Sequence, residues 1–176
     1  LEINIFLLPT DPGQSSQEIE GHYLEVIEKV VSVVNIPVSV KLGMRFTNVL
    51  AVCRDIYYRK AKGVVMFNRF FEPDIDVDDI SMASADTLSA RSELRNNLRT
   101  VGMCSGHISE LDVAVSTGVH TGEDVVKSIL AGAKAVEVCT ALYLDGLESI
   151  GKMKDYLDGW MEAHTFASVD EFRCLL

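Results

Sequence analysis

The feature that constrains this chain most is an alternation. Short apolar runs of strand character take turns with stretches of helical spacing, five times over. The runs are residues 1–8, 38–42, 64–68, 111–115 and 135–138. Ser15 opens the first helical stretch with Glu18 three residues on, the pattern of a capping box. Ile19, Tyr23, Ile27 and Val30 follow at helical spacing, and Pro37 closes the unit. Asn48 and Thr121 are candidate caps of two later helices. The other predicted helices cover about 91–103 and 147–164, with a short one from Ser168.

Strict alternation of this kind predicts parallel strands joined by right-handed crossovers. Largely apolar runs suit strands covered on both faces. A doubly wound sheet and a (β/α)8 TIM barrel both satisfy the pattern. Five units are three short of eight. The barrel reading therefore makes residues 1–176 the C-terminal part of a single barrel domain, supplying about its last five βα units. A chain that opens with Leu1 inside a strand agrees with that expectation.

Function in such folds gathers where strands end and helices begin. Residues 116–122 read strand end, glycine turn, helix start, with Thr117, Gly118 and Thr121. Residues 139–142 follow a strand with Cys139 and Thr140. Turns of this type leave backbone N–H groups at helix N-termini, where a phosphate can sit. Lys41 closes a Val-Ser-Val run, a place where a cation needs a partner. Asn68 ends Val-Val-Met-Phe, and Asn4 interrupts an otherwise apolar run; buried amides need partners, and a planar heterocycle offers them. Structural readings compete with each: a snorkelling lysine, an Asx turn, a satisfied core amide, a plain helix cap. His120 reads as a solvent-exposed loop histidine.

Charge narrows the classes further. The chain carries 16 Lys and Arg against 26 Asp and Glu, a formal net charge of −10. No basic stripe is present, which excludes nucleic acid as the expected partner. No apolar run reaches the roughly 18 residues of a membrane span. The four cysteines have no CxxC spacing and read as reduced, mostly buried thiols of a cytoplasmic protein, with no metal site. The aspartate-rich stretch 69–86 lacks the glycine and final glutamate of a calcium loop and reads as a solvated lid.

With these residues in view, the chain resembles the soluble (class 1) dihydroorotate dehydrogenases and their bacterial dehydrogenase-like relatives. The resemblance runs through Glu2-Ile3-Asn4, Val40-Lys41-Leu42, Phe67-Asn68, Thr117-Gly118-Val119, Thr121-Gly122-Glu123-Asp124, Ala131-Gly132-Ala133, Thr140-Ala141-Leu142 and the tail Asp170-Glu171-Phe172-Arg173. It implies an FMN-binding barrel that oxidises a dihydropyrimidine-type ring, dihydroorotate to orotate, in pyrimidine biosynthesis. It implies that Lys41 contacts the flavin and is the catalytic cation. Asn4 and Asn68 would bind the pyrimidine-like substrate, Asn68 also the flavin edge. Backbone groups around Thr117, Gly118, Cys139 and Thr140 would hold the FMN phosphate.

The departures from the family pattern are specific. Its cysteine or serine base falls in this chain on Phe6, Leu7 and Leu8, none of which can take a proton. Arg69 replaces a serine, and Thr117, Cys139, Thr165 and Cys174 stand where relatives place glycine. Hence the leading expectation is a flavin-dependent dehydrogenase acting on a CH–CH group with an altered substrate. The alternative is a degenerate, non-catalytic phosphate- or flavin-binding barrel serving as an interaction module. A third expectation is a phosphate-binding barrel enzyme whose lysine forms a Schiff base. Unpaired strand edges predict association, as a homodimer or with the missing N-terminal segment.

Overall fold

The computed structural model describes residues 1–70 and 72–176. Five short parallel strands form its sheet: β1 (Glu2–Asn4), β2 (Ser39–Leu42), β3 (Gly63–Met66), β6 (Asp112–Val115) and β7 (Ala135–Val136). Their order across the sheet is their order along the chain. A doubly wound sheet needs a reversal of that order, and none occurs among the described residues. Right-handed crossovers that always step in one direction place every helix on one face.

Burial agrees with that layout. Successive residues of a strand point to opposite faces. Val40, Leu42, Val64, Met66, Val113 and Val115 share one face by register and are nearly inaccessible. They pack against Tyr23 and Ile27 of α1 (Ser16–Val33), Val52, Cys53 and Ile56 of α2 (Val49–Tyr58), and Leu94, Val101 and Cys104 of α3 (Leu94–His107). The opposite face carries Glu2, Asn4, Ser39, Lys41, Val65, Ala114 and, past the end of β7, Glu137. Cover on both faces was expected from the apolar runs, by helices on both in a doubly wound sheet and on one in a barrel. One face has it; the other bears the polar residues hidden within those runs.

The sheet is curled toward that polar face. Lys41 on β2 touches Glu137 beyond β7, with two strands between their own. In a flat sheet those strands would lie about 14 Å apart. An arc of parallel strands with helices outside is compatible with part of a (β/α)8 barrel.

Local chemistry explains most element boundaries. Ser15 and Glu18 form the expected capping box on α1. Asn48 Oδ1 accepts from the Ala51 N–H at 3.2 Å and starts α2. A 3₁₀ turn, Arg91–Glu93, leads into α3. Thr121 caps α4 (Gly122–Leu130), and α6 (Glu148–Ala163) is the long helix near the C-terminus.

Three expectations need correction. Residues 1–8 are strand only over Glu2–Asn4, because Pro9 and the exposed side chains of Phe6, Leu7 and Leu8 take the chain out of the sheet. Residues 135–138 are strand only over Ala135–Val136, and Thr140 begins a helix, α5 (Thr140–Asp145). The aspartate-rich stretch holds an antiparallel hairpin, β4 (Pro73–Asp76) with β5 (Ser81–Ser84), and not a plain loop. Residue 71 of that stretch lies outside the described residues. In the hairpin turn, Asp76 Oδ1 accepts from the N–H groups of Asp78 and Asp79, both at 3.0 Å.

Candidate functional site

The polar face and the strand ends above it carry the candidate residues. At one side, Asn68 Nδ2 donates to Asn4 Oδ1 at 2.8 Å, joining the ends of β1 and β3. Two residues past each asparagine stand Phe6 and Phe70, whose rings stack with centroids 4.0 Å apart. Phe6, Leu7, Leu8, Tyr23, Phe46 and Phe70 line an apolar hollow of about 700 Å³. Arg45 and Glu72, which pair with each other, also border it. The segment after Asn4 thus supplies wall, and among residues 5–9 no side chain can accept a proton.

In the middle of the face, Lys41 Nζ donates to Glu137 Oε2 at 2.5 Å and lies 3.5 Å from Glu2 Oε1. The lysine does not snorkel: its side chain is 17 % exposed. Burial draws the ammonium down, but hydrogen bonding and charge from Glu137 and Glu2 outweigh that and hold its pKa above the usual lysine value. Burial pushes both carboxyls up. For Glu137, Lys41, Glu2 and Ser116 overcome burial and keep it low. For Glu2, the adjoining Glu137 adds to burial and the carboxyl titrates higher than usual. The cluster is one cation between two acids.

At the far side, the two turns expected to hold a phosphate do meet. The Gly118 N–H donates to Ser89 Oγ at 3.3 Å, and Ser89 Oγ lies 2.8 Å from Thr140 Oγ1. The Ser89 N–H also donates to Thr140 Oγ1, at 3.1 Å. His120 Nε2 stands 3.4 Å from Ser89 Oγ, so this histidine is half-buried against the site and not a free loop residue. Thr117 and Gly118 both take left-handed backbone, φ 75° and 81°. Asn97 of α3 fixes that bend: its Nδ2 donates to the carbonyls of Ser116 and Thr117 at 2.7 and 2.9 Å. Thr117 Oγ1 donates to the Phe67 carbonyl, tying this turn to the Asn68 side. Cys139 is exposed at the N-cap of α5.

The start of α4 carries its own buried anion. Asp124, 2 % exposed, accepts from the N–H groups of His120 and Thr121 and from the Arg91 guanidinium. Arg91 reaches it from the 3₁₀ turn before α3 and also touches Thr121 and Glu123. That pairing locks the loop holding Ser89 to the loop holding Gly118.

The residues expected from sequence lie along the polar face and its strand ends: Asn4 is bonded to Asn68, Lys41 sits within β2, Thr117 and Gly118 follow β6, and Cys139 and Thr140 start α5. Ser89, Asn97, Glu2 and Glu137 were not foreseen. Glu137 had a signal, as the one charged residue in the run 135–138. No group of acids, histidines and cysteines fit to hold a metal ion occurs among the described residues. Cys53 and Cys104 are buried, whereas Cys139 and Cys174 are exposed, against the expectation of mostly buried thiols.

Comparison with known proteins matches no family model. Curated sequences do match. The catalytic subunit of dihydroorotate dehydrogenase B (NAD(+)) from Alkaliphilus metalliredigens is 26% identical over 151 residues, 85% of this chain and 50% of that protein. Dihydroorotate dehydrogenase A (fumarate) from Lactobacillus helveticus is 27% identical over 150 residues, 84% of this chain and 49% of that protein. The chain is dihydroorotate dehydrogenase-like. A second B-type catalytic subunit, from Anoxybacillus flavithermus, is 31% identical over 124 residues, 69% of this chain and 39% of that protein. This dihydroorotate dehydrogenase-like chain spans about half the length of the curated relatives it matches. No helix among its described residues is long and apolar enough to cross a membrane.

Proposed function

We propose that the chain is the C-terminal part of an FMN-binding (β/α)8 barrel that oxidises or reduces a CH–CH bond in a pyrimidine-like ring. The observation that carries this reading is the convergence of two separated donor sets along one line of strand ends. One set is Ser89, Gly118, His120 and Thr140; the other is Asn4, Asn68 and Lys41. The first set suits a phosphate monoester, with hydroxyls, a glycine N–H and an imidazole within one hydrogen-bonded knot. The second set suits the edge of a planar heterocycle. FMN has both parts, and when bound it supplies a hydride acceptor.

The chain's own residues position and screen. The Gly118 N–H, Ser89 and Thr140 bind the phosphate end. The linked amides of Asn4 and Asn68 orient a ring lying across the ends of β1 and β3. The Phe6–Phe70 stack and the apolar hollow keep water from that ring. Lys41 holds positive charge in the middle, under control of Glu137. A catalytic base has no candidate at Phe6, Leu7 or Leu8.

That last fact favours a second reading, a degenerate barrel that binds flavin or a phosphorylated ligand without turnover. The visible spectrum of the purified protein, paired with its intact mass, tests the first reading. Flavin absorption bands and their bleaching by a dihydropyrimidine support it. Flavin bands that no dihydropyrimidine bleaches favour the second reading. A colourless protein that takes up no FMN on reconstitution overturns the flavin reading outright.

A further inference from the structure

We infer that Asn97 is a positioning residue for the phosphate side of the site: it holds Thr117 in a glycine-like bend, so that the Gly118 N–H faces the ligand. This rests on the flavin reading above and names the residue that shapes its phosphate end. Thr117 and Gly118 are consecutive left-handed residues, φ 75° and 81°. Glycine adopts that region freely. A β-branched residue there is an outlier that the surrounding structure must enforce.

The enforcing contacts come from two sides. From α3, Asn97 Nδ2 donates to the carbonyls of Ser116 and Thr117, at 2.7 and 2.9 Å. From the end of β3, the Phe67 carbonyl accepts from Thr117 Oγ1 at 2.9 Å. Asn97 is fully buried, and its Oδ1 meets no donor among the described residues. An amide buried with its acceptor unused costs stability. Packing alone therefore gives no reason for an amide at this point of the helix; its paired nitrogen does. The direction of the clamp matters as much as its presence. A trans peptide is planar, with the carbonyl and the following N–H on opposite sides. Turning the Thr117 carbonyl toward α3 thus turns the Gly118 N–H away from it. That N–H meets Ser89 Oγ at 3.3 Å, with the Thr140 hydroxyl beyond. Every group in this relay lies on β3, α3, α5 or the loops joining them to β6, so the relay is complete within the chain.

FMN and riboflavin share the ring and differ by the phosphate, so their affinities separate the two ends of the site. Binding of each to the purified protein is measured by titration calorimetry. The parent should bind FMN more tightly than riboflavin. Asn97→Ala should weaken FMN about tenfold, in line with roughly one hydrogen bond, and riboflavin less than about threefold. Asn97→Leu fills the buried space without a donor and should give the same split, which keeps the test decisive if the alanine variant does not fold. Glycine reaches the bend unaided, so in a Thr117→Gly background Asn97→Ala should cost FMN less than about threefold. FMN and riboflavin weakened alike would make Asn97 a packing residue only and overturn the inference. So would the full loss persisting beside Thr117→Gly. Equal affinity of the parent for FMN and riboflavin overturns the inference and leaves the flavin reading standing. A parent that binds neither overturns both.

Discussion

At the scale of single residues, Gly118 and Asp124 determine the shape of the phosphate-side turns. Gly118 sits at φ 81°, and a Cβ there would lie 2.4 Å from the backbone nitrogen of Leu94. Left-handed backbone alone costs an L-residue about 1–2 kcal/mol, and the opposing atom is main chain, which cannot swing aside. Gly118→Ala should lower unfolding free energy by about 3 kcal/mol in urea titration; a loss under about 1 kcal/mol would show that the α3 start yields easily. Asp124 offers a pH test. Burial pushes its carboxyl up, but Arg91, Thr121 and the His120 N–H outweigh burial and hold it below the usual aspartate range. A carboxyl lowered by folding stabilises fully above its unfolded value, about pH 3.9. That contribution is lost as pH falls through the folded value. Between about pH 4 and pH 2 the urea midpoint should therefore fall more steeply for the parent than for Asp124→Asn. Parallel curves would remove Asp124 from the acid response. The glycine-like positions tell a related story. Thr117, Thr165 and Cys174 all have positive φ, 75°, 62° and 59°. Sequence marked these three, together with Cys139, as places where relatives have glycine; the three keep a glycine-like backbone under a different side chain, whereas Cys139 has φ −129°.

At the scale of elements, caps and crossovers were legible and the hairpin was not. Ser15, Glu18, Asn48 and Thr121 act within a few residues of themselves, so their roles survive any tertiary arrangement. The five strands were likewise found, each shorter than its apolar run. The β4–β5 hairpin was read as loop because its aspartates dominate. Yet Asp74, Ile75, Asp76 and Val77 alternate with the period of a strand. Ile75 faces Met82 across the pair, and Ile75, Val77, Ile80 and Met82 are all largely exposed. A two-stranded hairpin with both faces wet is marginal by itself. Replacing residues 74–83 by a short Gly-Ser turn should change global stability by less than about 1 kcal/mol in thermal or urea unfolding. A loss several times larger would mean that the hairpin is part of the core. The partners of Ser89, Glu2 and Glu137 were illegible for another reason. Lys41 and Glu137 lie 96 residues apart, and only the curl of the sheet makes them neighbours. No local pattern encodes that.

At the scale of the whole molecule, the described sheet ends in β1 at one edge and β7 at the other. Phe6, Leu7 and Leu8 are exposed beside the first edge. Open edges next to apolar surface favour pairing with another chain. We propose that the protein associates, either with itself or with a further barrel segment. Sedimentation at micromolar concentration should show a species heavier than the 19.4 kDa chain, and a single monomeric boundary would contradict the proposal. The arc has one more consequence. The Lys41–Glu137 contact spans two intervening strands, so it exists only while the sheet stays bent. Whatever closes the arc shortens that chord, and whatever flattens it leaves the ammonium with Glu2 alone. The shape of the sheet and the charge presented to a ligand are then a single variable, and a partner that touches only the strand edges would still retune what the centre binds.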